Sequence, residues 1–364
     1  MNDETPAVPA PAPAPDAQPT PADGPHRRRP RYRGDHPHRF EEKYKERAPE
    51  RYTETIAKVL ASGKTPAGTH RPIMVTEVLA ALAPRPGEVA VDGTLGYGGH
   101  AQELLASLRP GGRLLGLDVD PIELPKTETR LRGLGFGPAE FTAHHTNFAG
   151  LPRVLAGAGL AGADCILADL GVSSMQLDDP ARGFTAKFAG PLDLRMNPQR
   201  GQPASALLAR ISAGDLTVLL AQNADEPHAD LLGDALAGRT FAATTELTRA
   251  VREALPRLNR EDAELTVRRV FQALRIAVND EFSALDTFLR VLPLCLNPGG
   301  RVAVLTFHSG EDRRVKRAFV NGLRAGDYAA IAPDVIRPSP EERLANSRSA
   351  PAKLRWAQKA TDAR

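Results

Sequence analysis

The segment Val89-Ala90-Val91-Asp92-Gly93-Thr94-Leu95-Gly96-Tyr97-Gly98-Gly99-His100 constrains this chain more than any other, because a short apolar β-run breaks into glycines and runs straight into a helical stretch, Ala101-Gln102-Glu103-Leu104-Leu105. Four glycines in seven positions bring backbone N–H groups close to a ligand with no Cβ in the way, and a helix start favours an anionic group. Gly96, Gly98 and Ala101 fit the G-x-G-x-x-G/A pattern of dinucleotide-binding proteins, yet Asp92-Gly93-Thr94-Leu95 separates the strand from the first of them. The loop predicts a small-anion cradle and leaves the ligand to be decided elsewhere.

Around this loop, apolar strands and helical stretches alternate. Pro72–Val75 leads a helix to Leu82; strands follow at 88–92, Gly112–Asp118, Glu140–His144 and Asp164–Asp169. Continuous apolar strands separated by helices predict a parallel sheet covered on both faces, an α/β fold whose ligands sit at the carboxyl ends of the strands. Pro125 should kink or restart the helix after the second strand. After Asp169 the rhythm stops. Residues 178–270 read as loop and then helices, with helical spacing in Ala204–Ile211, Asp215–Gln222, Ala229–Leu236 and Leu247–Leu255. One long helix from about Val270 to Leu294 and the turn Asn297-Pro298-Gly299-Gly300 precede a fifth strand at Arg301–Phe307, and the last β-like piece is Ala352–Ala357. The expected organisation is an extension over 1–67, a ligand-binding domain over 68–177 and 271–358, and an inserted helical substrate-recognition domain over 178–270.

A chain of 364 residues with 41% hydrophobic residues can bury a sizeable core. It has neither an apolar run long enough to span a bilayer nor a secretory h-region, which predicts a cytoplasmic protein with no membrane partner. Cys165 and Cys295 sit in apolar surroundings without metal-type spacing, so buried thiols are expected and no metal. The net charge of +3 is unevenly spread: residues 1–25, dominated by Pro and Ala and read as disordered, carry −4, residues 26–71 carry +7, residues 72–300 carry −6 and residues 301–364 carry +6. Positive charge at both ends suits a polyanion such as nucleic acid.

Each strand end in the first half presents a polar group: Asp92, Asp118, Asn147 before Phe148, and Asp169. Asp118 lies 26 residues past Asp92, about where an acid holding ribose hydroxyls is expected. Beyond the fourth strand come Leu170-Gly171-Val172-Ser173-Ser174-Met175-Gln176-Leu177-Asp178, then Arg182-Gly183-Phe184 and Gly190-Pro191-Leu192-Asp193-Leu194-Arg195-Met196. In the long helix Gln272, Arg275 and Asn279 share a face. After the fifth strand stands Phe307-His308-Ser309-Gly310-Glu311-Asp312-Arg313, where Ser309 fits an N-cap with Asp312 at N3.

These blocks, together with His70-Arg71-Pro72, Asp120-Pro121 and Phe271-Gln272-Ala273, run in unbroken order from about residue 69 to 357 and resemble the bacterial 16S ribosomal RNA cytosine-N4 methyltransferases. The resemblance implies a class I methyltransferase fold, Rossmann-like, that uses S-adenosylmethionine and carries a helical insertion after strand four. It makes Gly98, Gly99 and His100 the loop around the methionine part of the cofactor, Asp118 the ribose acceptor, Phe148 an adenine neighbour, and Asp169 and Gln176 further cofactor contacts. The substrate it implies is a P-site cytosine of 16S ribosomal RNA, in the small subunit. Where relatives continue the insertion with a Gly-Glu-Glu step, this chain has Ala224-Asp225-Glu226-Pro227-His228, and the insertion nets −1, unlike a free-standing RNA surface.

Cytosine N4 is a poor nucleophile, its lone pair being delocalised into the ring, and an enzyme helps by accepting hydrogen bonds from the amino group and aligning it with the methyl donor. The Asp/Asn/Ser-Pro-Pro-aromatic loop of many amino-group methyltransferases is replaced here by Asp169–Ser174, which suggests Ser173, Asn279 and His308 as groups that orient the base and Phe184 as one that stacks on it. A DNA amino-methyltransferase, a non-catalytic ribosome-assembly factor and a nicotinamide oxidoreductase are the competing classes. If the +7 segment attracts RNA, a chain beginning at Gly68 should bind small subunits more weakly than the full chain, its salt dependence flatter by about 0.7–0.9 per lost phosphate contact. Identical slopes across a salt series would make the segment a bystander.

Overall fold

A computed structural model describes residues 72–361. The Pro/Ala-rich tail, the basic segment and the helix expected at Tyr52–Ala61 lie outside the described residues. The elements in chain order are α1 Val75–Leu82, β1 Val89–Asp92, α2 Gly99–Leu108, β2 Arg113–Asp118, α3 Leu124–Gly133, β3 Phe141–His145, α4 Leu151–Gly157, β4 Ala163–Asp169 and α5 Ser174–Asp178. There follow α6 Ala204–Arg210, α7 Ala213–Ala224, α8 Ala229–Leu236, α9 Thr244–Ala254, α10 Arg260–Val278 and α11 Glu281–Cys295. The chain closes with β5 Leu296–Thr306, α12 Ser309–Ala325, β6 Tyr328–Ile331, α13 Pro340–Ala345 and β7 Lys353–Lys359.

The seven strands form one sheet in the order β3-β2-β1-β4-β5-β7-β6. The pairs β1–β2, β2–β3, β1–β4 and β4–β5 are parallel, whereas β7 runs antiparallel to both β5 and β6. The chain leaves β3 at one edge and returns to β4 on the far side of β1. The carboxyl ends of β1 and β4 therefore flank the point where strand order reverses, the place where an open α/β sheet binds its ligand.

Alternation along the strands builds two cores. Val91, Ile166, Ala168, Val302 and Val304 face one side, under Leu285, Phe288 and Leu292 of α11 and Phe319 of α12. Ala90, Cys165, Leu167, Ala303 and Leu305 face the other, under Val78 and Leu82 of α1 and Leu104, Leu105 and Leu108 of α2. Both cysteines are buried free thiols, and burial pushes Cys165 up to about 12 and Cys295 to about 11. The residues between β4 and α11 bury their own core, from Phe184, Leu192 and Leu194 to Leu216, Leu232, Leu247 and Val267, and on to Phe271 and Leu274. A boundary at residue 270 thus falls inside α10, a helix shared by the insertion and the stem that returns to the sheet.

Several local expectations are corrected. Helix 270–294 is two helices: Asn279 ends α10, its Nδ2 donating to Arg275 O (2.9 Å) and Leu194 O (2.8 Å), and Asp280 reverses the chain at φ 50°, which Asp tolerates better than most residues. Pro125 does not kink α3, because it occupies the first turn, where the missing N–H has no intrahelical partner anyway. Asn297–Gly300 is an excursion within β5, since register jumps from Ala163↔Leu296 to Cys165↔Arg301. Strand β6, too short and alanine-rich to read in sequence, completes the far edge.

The insertion also touches the sheet domain at its tip. Asp225, at the end of α7, accepts from Ser309 Oγ (2.7 Å) and takes both terminal nitrogens of Arg313 at 3.0 Å, the two charged side chains being about half exposed.

Phe288 is fully buried and meets Phe148 edge-on, with centroids 5.2 Å apart. Phe288→Ala should cost about 3–5 kcal/mol in urea unfolding, the range for emptying an aromatic site in a packed core.

Candidate active site

The site is assembled where β1, β2 and β4 end. From Asp92 the backbone is handed between strands: Gly93 N–H donates to Leu167 O (2.8 Å), Leu95 N–H to Leu117 O (2.8 Å), and Thr94 Oγ1 accepts from Asp169 N–H (2.6 Å). A Cβ on Gly93 would stand 3.2 Å from both Leu167 O and Phe148 Cβ, and one on Gly99 would stand 2.6 Å from Pro72 Cγ. Gly98 has φ 73° at the N-cap of α2, so this turn needs glycine.

One amide of this loop is taken by an acid of the chain itself. Gly96 N–H donates to Asp118 Oδ2 (2.6 Å), and Thr127 Oγ1 donates to Gly96 O (2.5 Å). Asp118 Oδ1 accepts from Asp120 N–H (2.9 Å). The chain's own carboxylate thus takes the Gly96 amide, and the loop is ringed by acids.

Those acids carry uncommitted oxygens. Asp92 is buried; Oδ1 accepts from Thr94 N–H (3.1 Å), and Oδ2 has no partner. Asp169 Oδ1 is buried without a partner, and Asp169 Oδ2 stands 3.6 Å from Nε2 of His100, itself buried in the first turn of α2. Burial, with Asp169 and Asp118 adding repulsion against the attraction of His100, pushes Asp92 up to about 6. Burial works against a charged His100, but Asp169 and Asp92 outweigh it and raise its pKa. Burial likewise raises Asp118, against the backbone N–H groups of Asp120, Gly96 and Val119. Buried carboxylates with unused lone pairs call for a ligand that brings N–H donors or positive charge.

A second network joins this edge to the insertion. Asp120 is 1% exposed; its Oδ1 accepts from Ile122 N–H (2.9 Å) and its Oδ2 from Gln176 Nε2 and Arg182 Nη1, both at 2.8 Å. Arg182 Nη2 donates to Met196 O (2.8 Å), Met196 N–H donates to Asn279 Oδ1 (2.7 Å), and between them Leu194 is held at φ 65°. A leucine there is strained and persists because its surroundings fix it.

Gly98, Gly99, His100, Asp118 and Asp169 therefore meet at one edge, and Phe148, half-buried, stands beside Gly93 against Phe288. Gln176 is buried with its amide engaged at both ends: Oε1 accepts from Ser173 N–H (3.0 Å) while Nε2 holds Asp120. Ser173 Oγ caps α5 by accepting from Gln176 N–H (3.2 Å). His308, not Ser309, caps α12, with Glu311 at N3 accepting from Phe307 N–H (2.8 Å) and His308 Nε2 3.1 Å from Glu311 Oε1. Ser173, Asn279 and His308 are thus occupied with capping and loop-holding, and Phe184 is buried in the insertion core rather than open to a base. Sequence reasoning gave no role to Asp120, Arg182 and Thr94: Asp120 and Arg182 are 62 residues apart, and no spacing signals that they meet.

Residues 67–360 match the sequence profile of the MraW methylase family. The chain belongs to that family. It is 49% identical over 344 residues to ribosomal RNA small subunit methyltransferase H 1 of Lachnoclostridium phytofermentans, covering 92% of this chain and 93% of the relative. It is 49% identical over 343 residues to methyltransferase H 2 of Alkaliphilus metalliredigens, covering 92% and 98%. Alignments of that length include part of the segment before Pro72, more than the blocks from residue 69 suggested. The strand order and the glycine loop are those of a class I methyltransferase. Among the described residues no helix is long and apolar enough to cross a membrane.

An acid whose pKa is higher folded than unfolded contributes stability below its unfolded pKa, near 3.8 for Asp92, and loses it as pH rises through about 6. Asp92→Asn, neutral throughout, should stabilise the ligand-free protein by up to about 3 kcal/mol at pH 8, with the difference vanishing towards pH 4. Thermal unfolding at the two pH values checks this.

Proposed function

We propose that this methyltransferase transfers the methyl group of S-adenosylmethionine to the N4 amino group of a cytosine in 16S ribosomal RNA, with the small ribosomal subunit as its substrate and the cytoplasm as its compartment. The observation that carries the reading is the set of uncommitted buried oxygens, Asp92 Oδ2 and Asp169 Oδ1, beside the glycine loop of a chain whose relatives are named for small-subunit ribosomal RNA methylation. S-adenosylmethionine fits Asp92 Oδ2, since a positively charged group of the cofactor would bring that carboxylate the partner it lacks, and Asp169 Oδ1 is left for the N–H donors of the amine to be methylated. When bound it supplies an electrophilic methyl group.

The chain's residues do the rest. Gly98 and Gly99 let the backbone approach the cofactor, with His100 below them. Asp118, which keeps the loop in shape through Gly96, would accept from the ribose hydroxyls, Phe148 would be the neighbour of the adenine, and Gln176 would act through its hold on Asp120. Asp169, at the end of the central strand β4, would accept a hydrogen bond from the cytosine amino group through Oδ1, orient its lone pair and take up the proton that the amine releases as the carbon–sulfur bond breaks and the sulfur leaves as a neutral thioether. His100, with Nε2 3.6 Å from Oδ2, draws the carboxylate by charge when protonated. Ser173, Asn279 and His308 are positioning residues: their caps hold the loops that form the walls of the cleft.

Methyl transfer from labelled S-adenosylmethionine, offered separately to small subunits, naked ribosomal RNA and DNA, tests the substrate; N4-methylcytidine in the small-subunit RNA is expected. Asp169→Asn should lower kcat about 10²-fold or more with cofactor affinity retained, as for loss of a group that acts on the reacting amine. Loss of affinity in calorimetry together with activity would make Asp169 a cofactor ligand instead.

A further inference from the structure

The loop between Gly183 and Gly190 leaves the turn Pro180–Arg182, whose Arg182 is locked to Asp120 at the cofactor edge. Its base is pinched: a Cβ on Gly183 would stand 2.1 Å from Pro191 O, and one on Gly190 1.9 Å from Pro180 O, so two backbones pass at a separation only glycine permits. The first residues turn inward, Phe184 being 6% and Thr185 8% exposed, and Thr185 Oγ1 accepts from Lys187 N–H (3.2 Å). The tip turns outward. Lys187 and Ala189 are exposed, and Phe188 is 51% exposed.

That tip is held, not loose. Thr244, fully buried at the start of α9, donates from Oγ1 to Phe188 O (2.8 Å) and from its N–H to Gly190 O (2.9 Å). Backbone on either side of Phe188 is fixed to the insertion core while the ring stays half in water, an exposure of apolar surface that contributes nothing to folding. A protein partner would call for a wider apolar face, but the exposed neighbours are a lysine and an alanine. An aromatic face beside an ammonium on a fixed backbone matches an unpaired nucleotide, the ring for the base and the cation for its phosphate.

We propose that Phe188 is a stacking platform for an unpaired base of the RNA substrate near the methylated cytosine, with Lys187 contacting the adjoining phosphate. The proposal rests on the reading of the chain as a ribosomal RNA methyltransferase and names the residues by which the insertion, net −1 overall, still grips RNA.

The test uses the full chain carrying Phe188→Ala, Phe188→Leu, Phe188→Trp or Lys187→Ala. Alanine and leucine at 188 should each raise KM for small subunits about fivefold or more, the lower end of what one stacked base contributes, while tryptophan keeps it near wild type. Cofactor affinity should not move and the unfolding midpoint only slightly, since half of the side chain lies in water. Lys187→Ala should flatten the salt dependence of RNA binding by about 0.7, whereas Phe188→Ala leaves the slope unchanged. Unchanged KM for Phe188→Ala overturns the proposal, and so does a wild-type value for Phe188→Leu, which would mark an apolar contact without stacking. Binding of the same variants to naked 16S ribosomal RNA, measured without turnover, decides stacking even if the wild-type protein methylates another nucleic acid, an outcome that would refute the functional reading alone.

Discussion

The buried ion pair between Asp120 and Arg182 is the contact on which the cleft depends. Its 2.8 Å bond joins a residue just past β2 to the first turn of the insertion, and both side chains are more than nine-tenths buried. A buried pair of this kind adds little net stability against an apolar replacement, but removing one partner leaves a charge stranded at a cost of about 3–5 kcal/mol. Here each partner has further bonds: Gln176 to Asp120, and Arg195 O and Met196 O to Arg182. The pair therefore fixes geometry. It sets where the insertion leaves the sheet, and through Met196 and Asn279 it also sets where the chain returns.

The opposite condition holds a few ångströms away. At the strand ends the fold leaves acids under-satisfied, with Asp92 pushed up to about 6 and Asp169 keeping a bare oxygen. Ser173, Gln176 and Asn279, by contrast, spend their polar atoms on the backbone and on Asp120.

Much of the fold was legible in the sequence because it depends on local patterning. Apolar runs mark β1 to β5, and helix Ala229–Leu236 has the bounds its periodicity predicts. The acids at strand ends could be found for the same reason: a strand's end is local information, and a parallel sheet brings all such ends to one edge. Asn279 splits the expected long helix through a bond to Leu194, 85 residues away, with no proline or glycine to announce it. His308 displaces Ser309 as the cap because Glu311, not Asp312, reaches back to the Phe307 amide. The partner of the Gly96 amide was hidden likewise, since the carboxylate that accepts from it comes from the neighbouring strand. What sequence hid was partner choice among residues far apart along the chain.

Two of the joints between insertion and sheet differ in kind. Asp120 with Arg182 is dry and branched; Asp225 with Arg313 and Ser309 is wet, and exposed pairs contribute only about 0–1 kcal/mol and weaken with salt. Raising the salt concentration therefore weakens the second contact and leaves the first almost untouched, so the attachment of the insertion is graded: firm where the chain leaves the end of β2, adjustable beside the start of α12.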